Sequence, residues 1–129
     1  MIFATHLLLY SRDPDADRAF FRDVLGFSHV DAGDGWLIFA LPPAEMGVHP
    51  AEENVTRLHA DHELATGTLY LMSDNLRDTV NQLAAKGVEH TEFQEAEWGI
   101  ATSIPLPGGS QLGLYEPRHA LAVKTAASH

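Results

Sequence analysis

No cysteine occurs in the 129 residues of this chain. Disulfides, thiolate nucleophiles and zinc–thiolate centres are excluded together, and any metal must be held by nitrogen and oxygen donors. Basic residues are also scarce, with 8 Lys and Arg against 18 Asp and Glu and a formal charge of −10. Nucleic-acid affinity rests largely on Lys and Arg neutralising phosphates, so no nucleic-acid partner is expected, whereas a cationic ligand would be attracted. No apolar run approaches the roughly 20 residues that cross a bilayer, so no membrane partner is expected either. Residues 1–10 are apolar but lack a basic leader and a small-residue cleavage site, which points to the cytoplasm. There is no serine elbow, no phosphate-binding loop and no zinc-protease histidine pair.

What is present is an ordinary globular composition, 45% hydrophobic and 20% charged. A chain of this length can bury roughly two thirds of its unfolded surface, so one domain over residues 1–129 is expected. Residues 2–10 (IFATHLLLY) form a near-continuous apolar run, the pattern of a strand covered on both faces, with His6 in its middle. Asp13-Pro14-Asp15 then offers an N-cap, a proline at the first helical position and an acidic first turn. Ala16, Ala19, Phe20 and Val24 make one apolar stripe, and Gly26 supplies the stop. Strands are expected over 27–30, 36–41 and 44–49, broken at Gly33-Asp34-Gly35 and at Pro42-Pro43.

Residues 51–66 are polar and without period, and read as a linker or flap. The same order of elements then recurs. A strand is expected over 68–73, and Asp74-Asn75 caps a helix striped by Leu76, Val80, Leu83 and Ala84 and stopped at Gly87. Strands over 88–93, 101–104 and 111–116 follow. Both copies end alike, the second as Leu106-Pro107-Gly108-Gly109 running to Leu114-Tyr115-Glu116-Pro117, the first as Leu41-Pro42-Pro43 running to Val48-His49-Pro50. The expected organisation is module one over 2–50, a linker over 51–66, module two over 67–117 and a tail over 118–129. One helix per module can cover only one sheet face, so the opposite faces must cover each other or enclose a cavity.

Several of these features, His6, Asp13 with Ala19-Phe20-Phe21 and Leu25-Gly26-Phe27, the 74–87 helix, Trp98-Gly99 and the second ending from Leu106 to Pro117, resemble the vicinal oxygen chelate superfamily of glyoxalase I, extradiol dioxygenases, fosfomycin-resistance transferases and bleomycin-resistance proteins. The resemblance implies an α+β fold of two βαβββ modules, a curved mixed sheet around a cavity with helices on its outer face. It also implies a homodimer and metal ligands at the first and last strands of each module. Carried onto this chain, those positions give His6, His49 and Glu116, with Thr68 or Gly67 at the fourth, where neither is a good ligand.

Two imidazoles and a carboxylate suit a divalent ion such as Fe, Mn, Ni or Zn with positions left open for substrate. The implied activity is therefore that of a dioxygenase, or a lyase or isomerase, acting on a small oxygen-chelating molecule. Glu45 and His62 are possible substitute ligands. The alternative is a metal-free protein that binds or sequesters a small molecule, for which −10 favours a cationic guest. Tyr10, Tyr70 and Tyr115 are candidates to line the pocket. For Trp36 and Trp98, packing is the simpler reading.

Overall fold

The computed structural model describes residues 1, 3–51 and 53–123. Its elements run α1 (Pro14–Asp23), β1 (His29–Asp31), β2 (Leu37–Phe39), β3 (Thr56–His59), β4 (His62–Ala65), β5 (Tyr70–Met72), α2 (Leu76–Ala84), β6 (Gln94–Ala96), β7 (Gly99–Pro105) and β8 (Gln111–Pro117). The two helices begin as their sequences dictate. Asp13 caps α1 by accepting the Ala16 N–H, with Pro14 at the first position, and Asn75 caps α2 by accepting the Asp78 N–H. Beyond each helix a glycine takes the left-handed conformation, Gly26 at φ 71° and Gly87 at φ 82°.

The principal sheet has the order β5-β8-β7-β6, with β5 parallel to β8 and the other pairs antiparallel. Burial alternates over the first half of β8, whereas β7 is buried on both faces from Gly99 to Thr102. Ile100, Thr102 and Ile104 on β7 and Leu112 and Leu114 on β8 are buried, and the apolar ones join a core with Phe20 and Phe21 of α1 and Leu76, Val80 and Leu83 of α2. Both helices therefore serve one core, which lies on one face of the sheet. Two cross-links tie α1 to the second half: the buried Asp17 carboxylate accepts the Gly108 N–H at 2.7 Å, and Lys86 donates to the Val24 carbonyl at 2.9 Å. The result is the expected α+β architecture of helices and mixed sheet.

Four expected elements turn out differently. Residues 51–66 contain a β-hairpin, β3 and β4, whose turn residues Ala60 and Asp61 both have positive φ, 49° and 65°. Both central residues being left-handed is the twist that closes a tight hairpin. Within residues 2–10, of which Ile2 lies outside the described residues, no ladder forms, and Leu7, Leu8, Leu9 and Tyr10 remain nearly half exposed. Residues 44–49 likewise form no strand, and β1 pairs only with β2. Residues 88–93 run beside β7 through a single backbone bond, Thr91 N–H to the Ser103 carbonyl, with Val88 and Phe93 packed on the core. Glu52 of the expected linker and 124–129 of the expected tail also lie outside the described residues.

Candidate functional site

Strand period divides β8 between two environments. Leu112, Leu114 and Glu116 point toward the helices, and Glu116 accepts the N–H of Leu76, the first residue of α2, at 2.8 Å. Tyr115 and Gly113 point the other way. On that opposite face Tyr70 lies beside Gly113 in the parallel register, and a Cβ on Gly113 would sit 2.4 Å from the Tyr70 ring. Only glycine lets that ring lie flat against the sheet.

An aromatic platform results. Tyr115 stacks on Trp98 at 5.7 Å between centroids and 13° between planes, meets the edge of Tyr70 at 5.9 Å, and donates its hydroxyl to the Trp98 carbonyl at 2.8 Å. Trp98 and Tyr70 stay close to half exposed, 44% and 49%. Large aromatic faces left open on a sheet, rather than packed, are surface offered to something else.

A carboxylate from the first half of the chain reaches this platform. Among the described residues from 40 to 68, Glu45 alone is substantially withdrawn from solvent. Its side chain is 20% exposed, and its charge acts on Tyr115: burial first, then Glu45 and Tyr70, raise the phenol above its ordinary pKa of 10.0. The Glu45 carboxylate accepts the N–H groups of Ala122 and Val123 at 3.1 and 3.3 Å, and lies 3.8 Å from Nε2 of His119. His119 in turn sits 5.7 Å from the Tyr115 ring, tilted by 37°.

The residues expected to hold a metal are placed elsewhere. His6 and His49 are exposed, the latter directing Nδ1 at the Pro50 carbonyl 2.7 Å away, and Glu116 faces α2. Among the described residues no group of three or more His, Asp or Glu is positioned to hold a metal ion. The expected set of His6, His49 and Glu116 is thus not brought together, and the divalent ion that the resemblance implies does not fit the donors as they stand. Of the two possible substitutes, Glu45 is committed to the platform and His62 lies on exposed β4. His59 is a strand residue whose Nδ1 pairs with the Tyr10 hydroxyl at 2.8 Å, while the Arg57 guanidinium lies 3.8 Å over the Tyr10 ring.

Residue types in the sequence pointed to Tyr70 and Tyr115, but Trp98 read as packing, and His119 carried no signal. Among the described residues no helix is long and apolar enough to cross a membrane.

Known proteins bear on this geometry in two ways. The model of the Glyoxalase/Bleomycin resistance protein/Dioxygenase superfamily matches residues 4–104. No curated protein matches the chain by sequence. Among solved structures, a lactoylglutathione lyase from Agrobacterium tumefaciens is 20% identical with TM-score 0.60, covering 90% of this chain and 94% of its own. A member of the same superfamily from Sphaerobacter thermophilus DSM 20745 is 20% identical with TM-score 0.58, covering 90% and 98%. The antibiotic binding protein TnmS3 from Streptomyces sp. CB03234 is 19% identical with TM-score 0.51, covering 91% and 99%. At these identities the likeness is one of fold.

Proposed function

The chain belongs to the Glyoxalase/Bleomycin resistance protein/Dioxygenase superfamily, and from that membership we propose that it is a metal-independent binding protein for a small, cationic, aromatic molecule. The observation that carries this reading is the largely buried carboxylate of Glu45, 3.8 Å from the His119 imidazole, which in turn lies beside Tyr115 of the Tyr115–Trp98–Tyr70 platform. Aromatic walls with a few placed polar groups are the ordinary make-up of a small-molecule site. A cation over such a ring gains about 0.5–2 kcal/mol, more where water is excluded, and a carboxylate alongside adds charge pairing. The net charge of −10 raises the local concentration of such a ligand.

The fold is compatible with binding as a whole activity, since the similarly folded TnmS3 is an antibiotic binding protein. The metal-dependent reading, a dioxygenase or lyase with His6, His49 and Glu116 as ligands, would use the Glu116 oxygen that does not accept the Leu76 amide and would have to bring His6 and His49 to it. It would be favoured by stoichiometric metal lost in Glu116→Ala. We also propose a homodimer, which would cover large apolar side chains that a single chain leaves exposed, Leu7, Leu8, Leu9, Met46 and Val48, and light scattering tests it.

Titration with the planar cation N-methylquinolinium tests the binding reading. Saturable binding lost in Tyr115→Ala is the expected result; binding unchanged by that substitution contradicts it.

A further inference from the structure

We propose that residues 118–123 form a strap that occupies the platform as an internal stand-in for the ligand, and that the true ligand carries the same chemistry: a flat ring beside adjacent N–H donors, as in an aryl amidine or guanidine. This rests on the binding reading given above. The strap presents three groups to the site. The His119 imidazole lies at 5.7 Å from the Tyr115 ring, where an aromatic ligand would stack. The N–H groups of Ala122 and Val123 converge on one oxygen of Glu45, so adjacent donors already meet this carboxylate, and an amidinium would replace them by spanning both oxygens with its own paired donors. His119 Nε2 approaches the other oxygen at 3.8 Å.

Among the described residues, the strap's anchor outside the site is at Arg118. Arg118 donates its N–H to the Trp98 carbonyl at 3.0 Å and its guanidinium to the Ala96 carbonyl at 3.2 Å, fixing where the strap leaves β8. Beyond that point, among the described residues, its holds on the site are those on Glu45 and Tyr115. A ligand that takes both must displace the strap, so affinity measured on the intact chain is a competition.

The test uses the full chain and three probes: benzamidine, with ring and paired donors; N-methylquinolinium, a planar cation without N–H donors; and benzoate, an anionic ring. Ala122→Pro deletes one strap donor, and His119→Ala deletes the strap's ring. Both positions are partly or fully exposed, so the fold is spared. Benzamidine should bind about tenfold more tightly to Ala122→Pro than to the parent, the effect of removing one competing charge-assisted hydrogen bond, and more tightly also to His119→Ala, which removes the competing ring, while benzoate should bind to none. In the parent, the Ala122 and Val123 amides should exchange slowly with solvent and lose protection when benzamidine is added. Unchanged benzamidine affinity in both variants, with N-methylquinolinium still bound through Tyr115, overturns the strap and leaves the binding site standing. Failure of all three probes on every form overturns both readings.

Discussion

The Glu116 carboxylate and the Leu76 amide are joined at 2.8 Å, the end of one strand closing the start of α2. A helix N-terminus carries unpaired N–H groups and a partial positive charge, so the carboxylate finds there the compensation that an apolar face would otherwise deny it. Glu116→Ala should destabilise the protein by about 1–2 kcal/mol in urea unfolding, and Glu116→Gln by less. Unchanged stability in Glu116→Ala would remove this role.

Gly113 sets the position of Tyr70. A methyl group there would lie 2.4 Å from Cδ1 of the ring, and the ring must move away. Gly113→Ala should weaken N-methylquinolinium binding and cost about 1–3 kcal/mol of stability, the usual range for an overpacked site. Normal affinity in a correctly folded variant would separate Tyr70 from ligand binding.

Asp17 is a buried carboxylate of α1 that accepts the Gly108 N–H at 2.7 Å across the two halves of the chain. Asp17→Ala leaves that N–H without its partner and should cost about 1–3 kcal/mol, measured by urea unfolding. A variant as stable as the parent would mean that the turn finds another acceptor.

The pH dependence follows from Tyr115. Its folded pKa lies above the unfolded value because burial, Glu45 and Tyr70 all oppose the phenolate. A raised folded pKa stabilises the protein fully below the unfolded value of about 10, and that contribution is lost as pH rises through the folded value. Ultraviolet titration should therefore show one tyrosine ionising late, and Tyr115→Phe should abolish that late step. An ordinary titration for all tyrosines would show the platform to be open to water.

The helix ends were legible because capping is local: Asp13, Asn75, Gly26 and Gly87 act within a turn of their own positions. Alternation likewise put Glu116 with Leu112 and Leu114, but no pattern along the chain shows that α2 begins opposite it. The β3–β4 hairpin escaped notice because Ala60-Asp61 lacks the glycine or asparagine that advertises a left-handed turn, and Leu58 and Leu64 are too few to set a period. Residues 2–10 are apolar enough for a buried strand, yet a strand needs a partner brought from far along the chain, which composition cannot supply. The platform was half visible: tyrosines announce themselves, but the meeting of Glu45 with His119, Ala122 and Val123 is made by tertiary placement alone.

The central claim, binding at Glu45 and Tyr115 without a metal, is tested most directly by calorimetric titration of chelator-treated protein with N-methylquinolinium, beside Glu45→Gln, Tyr115→Ala and Glu116→Ala. Saturable binding should survive chelation and Glu116→Ala, weaken about tenfold in Glu45→Gln, and vanish in Tyr115→Ala. Binding that appears only when a divalent metal is restored, and disappears in Glu116→Ala, would contradict the account and favour the metal-dependent enzyme.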